Sequence, residues 1–391
     1  MLKKIKVTQL RIGMYINDLQ CGWMNHPFAV NRFKIKSDTE IRKIIAAGVK
    51  EIEIDIKKGL DIFIEKRKAE NGQLRKVIDQ RSQDKPGKVS VLQELGPAKI
   101  AFAEAGEFIT DMMANAKMGQ HVELEQVNPV INKMSASILR NPNALLGLSR
   151  IRAMDKYTFE HSVSFSVLLM SFAKSMGLPI ETINNVGIGG LLHDIGKTLT
   201  PDEILNKPGK LTDQEFVIMK KHVVDSRLIL EKTKGLSQVS MDIAAQHHEK
   251  FDGNGYPLGL KGDQISTYGQ MAAIVDVYDA LTADRCYHVG KEPSEVLKLL
   301  LKWSGTHFNP DLVRKFIQAV GIYPAGSLVL LSNQHLATVI DISDNMLKPQ
   351  VEVFVNTKKR CYVPRKLINL AEQDEIKILS IESYVKWNIK H

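Results

Sequence analysis

Residues 191–198 read LLHDIGKT, with a histidine beside an aspartate and Gly196-Lys197-Thr198 close behind. Two readings compete. A phosphate-cradling loop would use the Gly-Lys-Thr half, and a metal site would use His193 and Asp194. The loop motif requires a glycine five positions before Gly196, directly after a strand. That position is Leu191, Gly190 is one residue too early, and the upstream residues read as helix. The phosphate-loop reading fails, so the His-Asp half must be judged against the rest of the chain.

Composition narrows the class. The 391 residues are enough for two or three domains, with 44% hydrophobic and 25% charged residues, as in ordinary globular proteins. No apolar run approaches the roughly 18 residues that a membrane-spanning helix needs. The opening MLKKIKVTQL is basic but has no apolar segment behind it, so no signal peptide and a cytoplasmic location are expected. Cys21, Cys286 and Cys361 form no disulfide framework, which fits a reducing compartment. The net charge of +9 suits either an anionic ligand such as a nucleotide or a lysine-rich surface. The basic stretch at 57–88 lacks interleaved aromatics and matches no nucleic-acid motif, so it reads as a solvated helix and linker.

The chain is expected to be mainly α. EIEIDI, at 51–56, alternates with period two and predicts a strand in a small α+β domain over 1–65. Residues 66–149 read as a polar linker followed by a helical connector. Two helical segments appear there, PAKIAFAEAGEFITDMMANA and VELEQVNPVINKMSASILR, before the separator NPNALLGL. Residues 150–321 read as a run of helices, including 181–193, 213–232, 237–248, 266–284, 293–303 and 309–320. Thr212 and Glu215 have the spacing of a capping box. Residues 322–391 form a short β-rich tail, with strands expected in GSLVLLS, HLATVIDI and QVEVFV.

The helical run holds the chemistry. His161 shares a helix face with Phe165, Leu168, Leu169 and Phe172, and His222 shares one with Ile218, Met219, Ser226 and Ile229. Asp276 sits in the apolar MAAIVDVYDAL. An ionised aspartate facing a core costs several kcal/mol unless a cation or hydrogen bonds compensate it. One inward histidine is usually a satisfied core residue. Several, joined by carboxylates from separate helices, point to a metal. The candidate ligands are His161, His193, Asp194, His222, His247, His248 and Asp276. Imidazole mixed with carboxylate suits Fe, Mn or Zn rather than a structural zinc site. Seven ligands exceed the needs of one ion and suit two ions bridged by a carboxylate, for which Asp194 is the natural choice. Two ions about 3.5–4 Å apart are a standard device for phosphodiester hydrolysis.

The glycine-rich HHEKFDGNGYPLGLKGDQI follows at 247–265. Together with HDIGK (193–197) and DVYDALTADRCY (276–287), it resembles the HD-GYP domain, a branch of the HD phosphohydrolase superfamily. The resemblance covers about 150–321, and LRIGMYI (10–16) resembles the small uncharacterised domain often found ahead of HD-GYP domains. It implies a helical HD-type bundle and metal-dependent hydrolysis of cyclic di-GMP to pGpG, with GMP as a further product, in bacterial second-messenger signalling. It further implies that His161, His193, Asp194 and Asp276 hold one ion and that Asp194, His222, His247 and His248 hold the second. Fe or Mn is the expected metal. Asp194 and Lys197 would serve catalysis, with Lys197 on the scissile phosphate. Arg285 would contact a phosphate or a guanine. Gly255, Tyr256 and Pro257 would shape the site and touch partner domains of the GGDEF type.

Some family members hold a third ion through an acidic residue four positions before the first histidine. Tyr157 stands there, so a two-metal site is expected; adjacent Glu160 would point elsewhere on the helix. Cys286 and His288 replace the Pro and the basic residue usual around DRPY, which bears on substrate contact. Two rival readings use the same residues: a cyclic di-GMP sensor or GGDEF-binding module with little turnover, and a hydrolase of another cyclic dinucleotide. Neither nucleic acid nor a membrane span is expected, while a homodimer remains open.

Overall fold

The structure is a computed structural model that describes residues 2–7, 10, 13–18, 32–46, 49–55, 58, 89–150, 157–283, 290–342, 345–384, 386–387 and 389. Most of the basic stretch, together with Arg285, Cys286 and His288, lies outside them, as do the side chains of Tyr157 and Glu160. The chain divides into two compact units, Met1–Pro86 and Gly87–His391.

The first unit contains β1 (Leu2–Lys6), β2 (Tyr15–Asp18), β3 (Phe33–Lys34), α1 (Asp38–Ala46) and β4 (Glu51–Asp55). Its antiparallel sheet has the order β1-β4-β2-β3. The alternation in EIEIDI acts as a strand pattern should: Ile52 and Ile54 are buried, whereas Glu51 and Glu53 reach solvent. With Ile5, Ile16, Ile35 and Ile44 they form a separate small core.

The second unit opens with α2 (Val91–Lys117), α3 (Leu124–Arg140), α4 (Pro142–Arg150), α5 (Tyr157–Ser175) and α6 (Ile180–Leu192). A 3-10 turn, Ile195–Leu199, precedes α7 (Asp202–Leu205), α8 (Asp213–Lys220), α9 (His222–Leu230) and α10 (Gln238–Gln246). Then come α11 (Thr267–Thr282), α12 (Pro293–Lys302) and α13 (Pro310–Val320). The unit closes with β5 (Leu328–Leu331), β6 (His335–Asp341), β7 (Gln350–Asn356), β8 (Cys361–Asn369) and β9 (Ile378–Glu382), in the antiparallel order β8-β7-β6-β5-β9.

Several expected boundaries move. Helix α2 begins at Val91, ahead of Pro97, because Ser90 and Gln93 form a reciprocal capping box. NPNALLGL is a helix rather than a separator: Asn141 accepts the Asn143 N–H, and Pro142 takes the first helical position. The helix expected over 213–232 is interrupted at Lys221, whose N–H turns to the Ile218 carbonyl in a 3-10 step. Strands β8 and β9 were not expected; β8 carries little apolar alternation because most of its side chains are exposed.

Helix α5 is the axis of this unit. Every residue from His161 to Ala173 is buried, so the helix is surrounded on all faces rather than on the single face its spacing suggested. The short side chains of Ser162, Ser164 and Ser166 permit close approach. A Cβ on Gly190 of α6 would lie 2.9 Å from the Ser166 Cα, so only glycine allows α6 to lie this near α5. Ser166 Oγ donates to the Gly187 carbonyl at 2.8 Å and satisfies its hydroxyl in this contact. Residues of α2 and α3, including Ile109 and Ile131, join the same core as Phe165 and Leu191. Asn143 and Arg150 of α4 hydrogen-bond to Asp341 and Ser327, tying the C-terminal sheet to the helices.

Candidate metal centre

The seven expected ligands converge. His161 comes from α5, His193 and Asp194 directly follow α6, and His222 opens α9. His247 and His248 follow α10, and Asp276 lies in α11. Three groups have ligand atoms close enough to share an ion: His161 with His193 and Asp276, His222 with His247 and His248, and His193 with Asp194 and His247. Asp194 lies between them. Its Oδ2 is 3.2 Å from His193 Nε2 and 3.7 Å from His161 Nε2, while its Oδ1 is 3.3 Å from His222 Nε2 and 3.9 Å from His247 Nε2. Asp276 meets His161 Nε2 with one oxygen and His248 Nδ1 with the other, each at 3.5 Å.

Three histidines are oriented by one local device. Each donates Nδ1–H to the carbonyl three residues back: His193 to Gly190 at 2.8 Å, His222 to Met219 at 2.7 Å and His247 to Ala244 at 3.0 Å. These carbonyls belong to the last turns of α6, α8 and α10, where helices leave acceptors without intrahelical donors. The bonds fix the tautomer, so the Nε2 lone pairs point into the site. The helix ends also bring partial negative charge towards it, which favours a cation.

The donor set therefore needs a cation. His222 Nε2 and His247 Nε2 lie 3.4 Å apart, and with both protons committed to Nδ1 their lone pairs face each other. His222 Nε2 likewise faces an oxygen of Asp194 rather than donating to it. Among the described residues, buried His193 Nε2 and Asp194 Oδ1 have no hydrogen-bond partner. Leaving such atoms unpaired is costly, and metal ions coordinated by these lone pairs would satisfy them. The residues fit divalent metals held by nitrogen and oxygen.

Electrostatics agree. Burial would raise the Asp194 carboxyl, but the Lys197 ammonium bonded to it helps hold it well below the usual carboxylate range. Burial pushes His222 down to about 3 and also lowers His247 and His248, leaving them neutral. Burial would lower His161 too, yet Asp276 and Asp279 overcome this and raise it to about 9. His161 is thus the group that takes up a proton when no cation faces it.

Lys197 sits in the 3-10 turn and hydrogen-bonds Asp194 Oδ2. This turn can approach α9 only at a glycine. A Cβ on Gly196 would lie 2.1 Å from the His222 carbonyl oxygen and 2.4 Å from Ser226 N. Gly196 N–H donates to Ser226 Oγ at 2.8 Å, so the turn holding Lys197 is bonded to the helix holding His222.

The site opens on one side. His161, His193, Asp194, His222 and His247 are buried, whereas His248, Asp276 and Lys197 retain exposure. The Tyr256 ring leans on the His248 ring at 4.7 Å between centroids, which places the expected Gly255-Tyr256-Pro257 loop at the mouth. Expected Arg285 lies outside the described residues.

Two supporting residues escaped the sequence reading. Asp279 is buried and bonds His161 Nδ1 at 2.6 Å, doing for that ring what the carbonyls do for the others. Its signal was its spacing, three residues after Asp276 on the same helix. Buried Glu249 accepts the N–H groups of Leu258 and Leu260 at 2.7 and 3.0 Å and so closes the loop on itself. Its signal was a carboxylate directly after the paired histidines.

The chain is similar to known proteins. Residues 129–312 match the family model of the HD domain, and residues 2–127 match a domain of unknown function (DUF3391). The chain is 36% identical over 394 residues to the cyclic di-GMP phosphodiesterase PA4108 of Pseudomonas aeruginosa, covering all of this chain and 94% of that protein. It is 40% identical over 157 residues to the 3'3'-cGAMP-specific phosphodiesterase 1 of Vibrio cholerae, covering 40% of this chain and 36% of that one. Over 172 residues it is 36% identical to a cyclic di-GMP phosphodiesterase of Thermotoga maritima, covering 44% of this chain and 46% of that one.

Proposed function

This chain belongs to the HD domain family, in its HD-GYP branch, and we propose that it is a metal-dependent phosphodiesterase hydrolysing cyclic di-GMP. The observation that carries the reading is Asp194, a buried carboxylate set between two groups of inward-facing imidazole lone pairs. Two ions fit that division. His161, His193, Asp194 and Asp276 would hold one, and Asp194, His222, His247 and His248 the other, with Fe or Mn suited to the mixed donors. Bound divalent metals supply a nucleophile from water near neutral pH and neutralise charge on the phosphoryl oxygens.

The chain's own residues do the rest. Lys197 stands at the open side with its ammonium beside Asp194, where it can meet a phosphate oxygen and offset charge that grows in the transition state. The carbonyl-anchored histidines keep their lone pairs aimed without reorganising. Water adds across the P–O3′ bond, the 3′-oxygen leaves with a proton, and linear pGpG results; a second cleavage gives GMP. Arg285 is assigned a phosphate or guanine contact on sequence grounds. We further assign the protein to the cytoplasm and its Gly255-Tyr256-Pro257 loop to contacts with GGDEF-type partners. Among the described residues no helix is long and apolar enough to cross a membrane.

A second substrate has one observation in its favour, the similarity to a 3'3'-cGAMP-specific relative. The test is a panel of cyclic di-GMP, 3'3'-cGAMP and cyclic di-AMP given to reduced, metal-loaded protein, with products resolved by chromatography. Fastest formation of pGpG is expected. Faster cleavage of the hybrid would reassign the substrate, and tight binding without product would make the protein a sensor.

A further inference from the structure

Helix α8 has no buried residue, yet it carries Phe216 with 47% of its surface exposed. A single exposed phenylalanine needs no explanation. This one is not alone. Its ring meets Tyr256 edge-on, at 6.4 Å and 80°. Lys220, one turn later, holds its ammonium 5.2 Å from the Phe216 ring centre and 5.7 Å from that of Tyr256. Among the described residues Lys220 has no carboxylate partner, whereas Lys207 is paired with Glu215 of the same helix. Tyr256 in turn lies against His248, on the open side of the centre. A run of rings, with a cation over them that has no carboxylate partner among the described residues, therefore leads outward from the place where a scissile phosphate would sit.

We propose that the exposed ring of Phe216, edged by Tyr256 and Lys220, is a platform for one purine of the cyclic dinucleotide, and that Lys220 favours guanine over adenine there. The inference rests on the cyclic-dinucleotide reading above and names residues that recognise the substrate's base rather than its phosphate. Purines stack on aromatic rings whatever their edge groups, so Phe216 supplies affinity, with Tyr256 bracing its edge. Lysine supplies discrimination, since its ammonium only donates. Guanine presents two acceptors, O6 and N7, on one edge, where adenine replaces O6 with an amino donor. A cation over the platform rim therefore suits guanine and disfavours adenine.

The test is steady-state kinetics on the full, metal-loaded chain. Phe216→Ala should raise KM for cyclic di-GMP roughly tenfold, the size of a lost base stack, with kcat and metal content retained, and Phe216→Trp should restore KM. Lys220→Met should raise KM for cyclic di-GMP and narrow its advantage over cyclic di-AMP, measured by competition. An unchanged KM in Phe216→Ala, or a fall in kcat accompanied by metal loss, would overturn the platform while leaving the phosphodiesterase intact. Wild-type protein that neither binds nor cleaves cyclic di-GMP would overturn the functional reading, and the platform with it.

Discussion

Asp194 carries the heaviest demand of any single residue. It is buried, held ionised beside the Lys197 ammonium, and turned so that each oxygen faces a different set of imidazoles. The ring of His161 depends in the same way on one neighbour, Asp279. Asp279→Asn preserves shape but weakens the acceptor that orients this ring, so affinity for Mn should fall about 10–100-fold. A Mn titration of the chelated variant measures this, and wild-type affinity would show that Asp279 is only structural. The seven candidate ligands that the structure brings together each stood out in the sequence as a polar residue on an apolar helix face or beside another candidate. Asp279 did not, because an aspartate bonded to a ligand looks in sequence like any other helical carboxylate.

Helix ends, more than helix faces, build the centre. His193, His222 and His247 each sit just beyond a helix or at a break and bond the carbonyl three residues back. The break at Lys221 illustrates what periodicity hides. A continuous helix over 213–232 satisfies the apolar spacing equally well, but the 3-10 step frees the Met219 carbonyl for His222. Helix α4 was missed for a related reason, since Asn-Pro reads as a turn until the asparagine is seen to cap. Gly196 joins two of these ends. Gly196→Ala must push the 3-10 turn away from α9, and overpacking of this kind costs about 1–3 kcal/mol. Lower thermal stability and reduced metal content are expected together. Full metal content in Gly196→Ala, by elemental analysis, would show that this contact does not position the ligands.

At the scale of the whole molecule, a cluster of buried histidines makes stability depend on pH. In chelated protein, His222 is lowered to about 3 and His247 and His248 are also lowered, so the folded chain stays neutral at these sites. The unfolded chain takes up protons at them near pH 6.5. Unfolding then binds protons, and stability falls as the pH drops from about 7 towards 5. His161 works the other way: raised to about 9, it contributes stability that is complete below pH 6.5 and lost as pH rises through 9. Three lowered groups outweigh one raised group, so the urea midpoint of EDTA-treated protein should be lower at pH 5 than at pH 7. An equal or higher midpoint at pH 5 would contradict these assignments. The mainly α class was legible at this scale from the helical run, and the first three tail strands from their apolar patterns. Strands β8 and β9 were not, because the exposed side chains of β8 carry no apolar stripe and β9 is defined by its pairing with distant β5.

The central claim, that two groups of ligands sharing Asp194 hold two ions and that those ions serve hydrolysis, is tested by one measurement. Protein purified without oxygen is analysed for metals per chain, and cyclic di-GMP turnover is followed on the same sample. About two Fe or Mn per chain with formation of pGpG is the predicted result. Full turnover by protein that, even after reloading, retains one ion or fewer per chain would contradict it.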